Sequence, residues 1–195
     1  MKTTFTNKLL LSVGVAALAM SAGTANAQTT EPVTATVQVL NAITVTEVDP
    51  LDFGIVAVIS HNVNTATLTI NPLTDALTTA TTGAPATFAV VDGTNASAAS
   101  LTIEDAAVGA ALNYTIGNVV NPISGGNAFT LNGWQVSYNG GVAAARTAGT
   151  AFPHTFTLAP APNTIDIGAN LVTQVGVALY PDATYTGSFD LTVSY

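Results

Sequence analysis

The sequence predicts an all-β protein built as an antiparallel β-sandwich. Apolar residues mostly recur at every second position, and turn signals rich in Gly, Pro and Asn separate the resulting short runs. Thr, Val, Ala, Gly and Asn dominate the composition, whereas charged residues make up only 7% of the chain. Many short strands at near-regular spacing are typical of a sandwich or a barrel, and the sandwich is the commoner of the two.

The clearest strand is the last one, at residues 185–195. Phe189, Leu191, Val193 and Tyr195 alternate there with polar residues up to the final position. A strand with so apolar a face must be covered either by the rest of the domain or by another chain, because an uncovered one invites aggregation. We therefore predict that these four residues form a strand-pairing interface.

Residues 33–45 show the same alternation and predict a long half-buried strand or a bent pair. Val33, Ala35, Val37 and Val39 share its apolar face and are the second half of the predicted strand-pairing interface. The remaining predicted strands cover residues 55–59, 64–70, 86–91, 100–104, 113–116, 129–138, 154–158 and 171–179. The alanine-rich residues 97–111 are compatible with a helix or with a strand followed by a loop.

The first 27 residues have the pattern of a secretory signal peptide. A short basic region precedes an apolar run at residues 9–20, and Ala25-Asn26-Ala27 is a small-x-small cleavage site. We predict cleavage before Gln28, which leaves residues 28–195 as a single β-sandwich domain. The apolar run is too short to span a bilayer, so the predicted product is exported, to the periplasm, the cell surface or the extracellular medium, with no membrane span.

The composition excludes several classes of function. Residues 28–195 keep one basic residue, Arg146, against eleven acidic ones, a formal charge of −10. So acidic a chain repels nucleic acids and anionic lipid surfaces. The chain has no cysteine, and no lysine follows Lys8, so thiol chemistry, disulfides, Schiff-base catalysis and phosphate-binding P-loops are excluded from the exported part.

Three segments resemble an exported bacterial family called domain of unknown function 4402. They are Asp-Pro-Leu-Asp-Phe-Gly-Ile-Val at residues 49–56, Ile-Asp-Ile-Gly-Ala-Asn-Leu at residues 165–171, and the closing strand that starts with Tyr-Thr-Gly at residue 185. That family in turn resembles the spore coat protein U domain and, more distantly, the pilins of chaperone–usher fibres. The resemblance implies an immunoglobulin-like sandwich on a Gram-negative surface.

The likeness to pilins suggests partners for the chain. In pilins a periplasmic chaperone, and later the N-terminal extension of the next subunit, supplies a strand that the fold lacks. By similarity, the closing strand with its terminal Tyr195 is the part offered to a chaperone. If residues 33–45 match the first pilin strand, only five residues precede them, too few at ~3.3 Å each to fill a neighbour's groove. Either residues 33–40 are themselves the donated strand, or the domain is self-complete.

No catalytic or metal site is predicted. His61 and His154 are the only histidines, and the Gly-x-Ser-x-Gly sequence of a nucleophile elbow is absent. The carboxylates at Glu47, Asp49 and Asp52 could be ligands of a calcium ion, but the spacing of a calcium-binding loop is missing, and turn formation and solvation explain them more simply. We accordingly predict no cofactor and no enzymatic activity.

Two functions from different classes remain. The first is a pilin-like or coat-like structural subunit at the cell surface, which acts through strand pairing with a chaperone and with neighbouring copies of itself. The alternative is a self-complete secreted module that binds a carbohydrate or a surface partner. Its candidate ligand face contains Trp134 and Tyr138, which share one face of a predicted strand, although a single tryptophan in a sandwich is usually a core residue.

Overall fold

The computed structural model of the chain describes residues 34–37, 42–155, 163–177 and 179–195. The chain divides into two units, Met1–Gln38 and Val39–Tyr195. In the first unit, residues 34–37 are exposed and belong to no strand, with the side chain of Val37 87% exposed. Among the described residues, no helix is long and apolar enough to cross a membrane.

The second unit is an antiparallel β-sandwich, which confirms the predicted fold class. Its described residues contain strands but no helix, and all pairings between named strands are antiparallel. The strands are β1 (Thr44–Asp49), β2 (Ile55–Ile59), β3 (Ala66–Ile70), β4 (Leu77–Thr81), β5 (Thr87–Asp92), β6 (Ala99–Glu104), β7 (Ala111–Ser124), β8 (Asn127–Tyr138), β9 (Ala144–Ala145), β10 (Phe152–Thr155), β11 (Asn163–Thr173) and β12 (Thr186–Ser194).

The first layer has the strand order β1-β6-β11-β8, and β11 is its organising strand. One edge of β11 pairs with β8 along most of its length. The other edge pairs first with β6, at residues 163–167, and then with β3, at residues 170–172. The β3–β4 hairpin thereby continues the layer beyond β6, and the short β9 extends it at β8.

The second layer is built around β7. The strand β12 pairs with one edge of β7 and β10 pairs with the other. The hairpin between β7 and β8 joins the two layers, since these strands pair only at residues 123–124 and 127–128. A separate two-stranded ribbon consists of β2 and β5.

The two layers enclose one apolar core. Alternate residues of β7 and β11 point into it, as expected for strands with one buried face. The largest fully buried apolar side chains are Leu68, Ile70, Ile103, Leu112, Tyr114, Ile116, Ile165 and Ile167. Burial of this core and backbone pairing stabilise a fold that contains no cysteine.

Gly168 permits the change of partner along β11. A Cβ atom at this position would lie 2.3 Å from the carbonyl oxygen of Ile70 and 2.8 Å from Cδ of Pro72. These distances are shorter than van der Waals contact, so only glycine allows the chain that follows β3 to pass this close to β11. The register between β8 and β11 shifts at the same place, between Gly168 and Asn170.

Three sequence predictions differ in detail from the structure. The strand predicted at residues 171–179 is displaced, because pairing with β6, β3 and β8 extends β11 over Asn163–Thr173. The alanine-rich residues 97–111 form the strand β6 and a turn rather than a helix, because β6 pairs with both β1 and β11. The strand predicted at residues 33–45 begins only at Thr44, where its pairing with Glu104 of β6 starts. Residues 38–41, residues 156–158 of the strand predicted at residues 154–158, and residue 178 lie outside the described residues.

Candidate functional site

A groove of about 730 Å³ opens between the strands β2 and β12. Residues 55–58 of β2 line one side, and residues 187–189 and 191 line the other. Within the described part of the chain, β2 pairs only with β5 and β12 pairs only with β7. Each strand therefore presents to the groove an edge whose N–H and C=O groups are available to a further strand.

The floor of the groove is apolar and belongs to the first layer. It consists of Ala99 and Leu101 from β6, Phe129 and Leu131 from β8, and Leu171 from β11. These side chains point into the space between the layers because they occupy the inward positions of their strands. A strand laid in the groove with apolar residues at alternate positions would cover them.

The β12 side of the groove exposes residues that belong to the core face. Phe189, Leu191 and Val193 pack against the buried cluster but are only partly buried, while their neighbours along the strand are exposed. The ring of Phe189 lies 4.9 Å from that of Trp134. These side chains are only partly buried because the groove lies beside this face of β12.

A loop before β12 closes one end of the groove. Residues 179–185 line it there, and aromatic packing fixes the loop, since Phe129 stacks on Tyr180 at 4.3 Å and meets the edge of Tyr185 at 4.9 Å. The hydroxyl of Tyr180 also accepts a hydrogen bond from the backbone N–H of Gln174 at 2.8 Å and donates one to the carbonyl oxygen of Ala128 at 3.1 Å. Burial of this side chain raises the pKa of Tyr180.

The rim of the groove is acidic. Glu47, Asp52 and Asp182 are among its lining residues, and none of the described lining residues is Lys, Arg or His. One oxygen of Asp52 accepts a hydrogen bond from the backbone N–H of Gly54 at 2.7 Å, which shapes the turn that leads into β2. The groove thus combines an apolar floor, two strand edges and a negative rim.

The structure brings part of the predicted strand-pairing interface to this groove. Phe189 and Leu191 line it, and Val193 follows on the same face of β12. Tyr195 lies just beyond β12, is 48% exposed, and its hydroxyl accepts a hydrogen bond from the backbone N–H of Ala107. Of the other half, Ala35 and Val37 are exposed and belong to no strand.

Other predicted positions lie outside the described residues. These are Val33 and Val39 of the predicted interface, and Ala25, Ala27 and Gln28 of the predicted cleavage site.

The two residues of the candidate ligand face occupy different surroundings. Trp134 is only 3% exposed and belongs to the core cluster. Tyr138 is partly buried; its hydroxyl lies 3.1 Å from that of Tyr114, and its ring packs against that of His154. Burial raises the pKa of both tyrosines, and burial followed by the charge of Arg146 lowers the pKa of His154.

The remaining chemical groups are dispersed. The Nδ1 atom of His61 accepts hydrogen bonds from the backbone N–H groups of Val63 and Asn64, as expected for a turn residue. Asp166 accepts a hydrogen bond from the hydroxyl of Ser100 at 2.7 Å, between β11 and β6. Among the described residues, no three His, Cys, Asp or Glu side chains are grouped as metal ligands.

The β2 side of the groove was not predicted from the sequence. A strand was predicted at residues 55–59, but without a part in the strand-pairing interface. The signal was an uninterrupted apolar run, Ile-Val-Ala-Val-Ile, which differs from the alternation of a strand with one solvated face. Val56 and Val58 pack against the core, whereas Ile55 and Ile59 are exposed.

The sequence profile of a family described as a domain of unknown function, DUF4402, matches residues 43–195. The chain belongs to the DUF4402 family. This result confirms the resemblance predicted from the three sequence segments. No curated protein and no solved structure matches the chain. The DUF4402 region contains both sides of the groove, and the alternating residues 33–39 precede it.

Proposed function

We propose that this chain is a non-enzymatic, exported structural protein that acts through β-strand pairing, as a pilin-like or coat-like subunit of the cell surface. The groove between β2 and β12 carries the proposal. It offers an apolar floor and two strand edges on opposite sides, so one added strand would pair with both. Addition of a strand to an open sheet edge is a recurrent mode of protein recognition.

The strand order supports a missing-strand interpretation. In an immunoglobulin-like sandwich, strands A, B, E and D form one sheet and strands C, F and G form the other. The order β1-β6-β11-β8 corresponds to A-B-E-D, and the pair β7-β12 corresponds to C-F. A strand in the position of G would lie along the open edge of β12, where the groove is. On this interpretation the added strand completes the fold.

The chain also carries a segment suited to fill such a groove. As an extended strand, residues 33–39 would place Val33, Ala35, Val37 and Val39 on one face, and no charged residue interrupts them in the sequence. Four inward apolar side chains match the apolar floor, while the alternate Thr and Gln residues suit the solvent side of a sheet. A neighbouring copy is therefore our proposed donor of the strand, and a periplasmic chaperone is the proposed occupant before assembly.

Polymerisation by strand pairing is tested by shearing intact cells that produce the protein. The released material is run on a denaturing gel, with an unboiled sample beside a boiled one. Subunits held by an inserted strand resist detergent until heated, so we expect a ladder of multiples that collapses to one band on boiling. A single monomer band in both lanes would contradict the proposal and would favour the self-complete binding module.

A further inference from the structure

The two-stranded ribbon of β2 and β5 is apolar on both of its faces. Its inner face packs against the core through Val56, Val58 and Phe88. The alternate positions form the opposite side, which we call the outer ribbon face: Ile55, Ala57, Ile59, Ala89 and Val91. All of these residues are exposed, Ile55 to 60%, Ile59 to 54% and Val91 to 67%.

The outer ribbon face is distinct from the edge that β2 presents to the groove. A strand added at that edge extends the sheet sideways and leaves both faces of β2 as they are. The strand β2 has the sequence Ile-Val-Ala-Val-Ile, and β5 contains Phe-Ala-Val-Val. Uninterrupted apolar runs of this kind are typical of strands that are buried on both faces, and contiguous exposed apolar side chains mark interaction sites. The described part of the chain leaves this face uncovered.

The outer ribbon face has a hollow at its centre. Ala57 and Ala89 are paired directly, so only two methyl groups occupy the middle of the face. Ile59 lies on one side of this hollow, and Ile55 and Val91 lie on the other. Neighbouring positions on the same face of a strand are about 6.6 Å apart. A second ribbon that is displaced by one such position can therefore place an isoleucine in the hollow, and two-fold symmetry makes the fit occur twice.

Charge indicates which isoleucine enters the hollow. Asp92 is paired with Ile55, so insertion of Ile55 would bring a carboxylate to the apolar centre of the contact, where its burial is costly. Insertion of Ile59 instead leaves Asp92 at the margin, level with His61 of the other copy. The Nδ1 atom of His61 accepts backbone hydrogen bonds at 3.4 and 3.3 Å, so the neutral ring carries its proton on Nε2. That N–H is a donor for a carboxylate.

A second copy accounts for this face better than a lipid surface does. Residues 28–195 contain one basic residue against eleven acidic ones, and anionic headgroups repel so acidic a chain. A fluid lipid surface also makes no use of a hollow of fixed size, whereas the ribbon itself carries the isoleucine that fits it.

From these observations we propose that the outer ribbon face binds the same face of a second copy, with Ile59 of each copy in the hollow over Ala57 and Ala89 of the other. The contact goes beyond strand pairing, because it joins subunits side by side and leaves the groove free. The face is smaller than the ~800 Å² per partner of a stable interface, so free subunits associate weakly. The contact becomes effective where copies are held close together, since their local concentration is then high.

Sedimentation equilibrium of the purified, exported chain tests this contact at concentrations from about 1 µM to 1 mM. Polymers held by an inserted strand are removed beforehand by gel filtration. We expect a reversible equilibrium between monomer and dimer. Ile59→Asp should weaken the association more than about 10-fold, because the new carboxylate would be buried without a partner. Val142→Asp is the control, since Val142 is 93% exposed and lies outside the ribbon; it should leave the association unchanged.

Filling the hollow distinguishes a shaped contact from unspecific apolar association. Ala57→Leu adds apolar surface, which strengthens unspecific association but blocks the entry of Ile59. We expect this variant to weaken the dimer about 10-fold or more. Adding Ile59→Ala to Ala57→Leu should restore the association constant to within about 3-fold, because the volume lost by one copy is supplied by the other. Both positions are exposed in the single subunit, so the circular dichroism spectra of these variants should match that of the natural chain.

Three results would overturn the proposed contact. One is a chain that stays monomeric over the whole range, and another is a dimer that Ala57→Leu strengthens. The third is flotation of the natural chain, but not of Ile59→Asp, with vesicles of neutral phosphatidylcholine, which would assign the face to a lipid surface.

The unboiled gel separates this inference from the proposed function. Ile59 is not among the described residues that line the groove, so Ile59→Asp should lose the dimer and keep the ladder of the natural chain. Loss of both would make the face part of the strand-pairing site and would overturn a separate contact. A ladder that is absent from the natural chain contradicts strand pairing alone, because the dimer of the ribbon face is measured without it.

Discussion

Adjacent residues of β12 should differ strongly in their response to the same added charge. Leu191 faces the groove and is partly buried, whereas Thr192 faces outward and is exposed. Full burial of a leucine side chain contributes about 1.5–3 kcal/mol, so Leu191→Asp should lower the free energy of unfolding of one subunit by about 2 kcal/mol. For a domain of this size that loss corresponds to a melting temperature lower by about 4–8 °C.

The effect of Leu191→Asp on assembly should be much larger than its effect on folding. In a single subunit the new carboxylate at position 191 can still reach water through the groove. An inserted strand would cover it, and covering an unpaired carboxylate costs several kcal/mol. An additional cost of about 3 kcal/mol reduces the association constant more than 100-fold. The subunit should therefore fold but no longer form the ladder.

Two measurements separate these effects. Thermal unfolding followed by far-ultraviolet circular dichroism reports the subunit, and the unboiled gel reports the assembly. Thr192→Asp is the matched control, because it adds the same charge one residue away on the solvent side; it should change stability by less than about 0.5 kcal/mol and keep the ladder. Equal ladders from both variants would refute the assignment of the groove as the strand-pairing site.

Three further predictions concern the core that supports the groove. Trp134→Ala should lower the free energy of unfolding, measured by urea titration, by about 3–5 kcal/mol. The control Val142→Ala changes a residue that is 93% exposed and should be nearly neutral. If Trp134→Ala were also neutral, Trp134 would not be a core residue and the ligand-face interpretation would return. Gly168→Ala should prevent native folding, judged by circular dichroism of the purified chain, while Gly117→Ala, whose Cβ meets nothing within 4 Å, should be tolerated. Burial raises the pKa of Tyr114 above its ordinary value of 10.0, so the stability that its neutral hydroxyl contributes is present below pH 10 and lost as the pH rises further. Tyr114→Phe should therefore make the midpoint of urea unfolding fall less steeply with pH above 10. An unchanged pH dependence of the midpoint would contradict the raised pKa of Tyr114.

Local patterns were sufficient to predict most strands. The alternation of Phe189, Leu191 and Val193 predicted β12, and the apolar run at residues 55–59 predicted β2, because side-chain periodicity is a local property. The strand β4 was missed, since its sequence Leu-Thr-Thr-Ala-Thr has little apolar alternation and it forms by pairing with β3. The two-residue β9 is too short to leave a periodic signal.

The groove could be predicted only in part. The apolar face of the last strand indicated that another segment must cover it. That inference needed only the alternation within the strand and no knowledge of the strands beside it. Which edge stays open depends instead on pairing between residues far apart in sequence, such as Leu191 of β12 with Ile116 of β7. The closing loop also depends on aromatic contacts across the fold, such as Phe129 with Tyr180. Period-two patterns contain neither kind of information.

The position of β11 has a consequence for how the chain folds. This strand supplies the partner for β6, β3 and β8, although it is the last strand but one in the sequence. A chain translated or translocated from its N-terminus must therefore hold those three strands without their common neighbour until residue 163 and beyond have emerged. Such a high contact order slows folding, because distant segments must meet before the layer can form. The time between the appearance of β3 and that of β11 is the interval in which this chain is most exposed to misassembly.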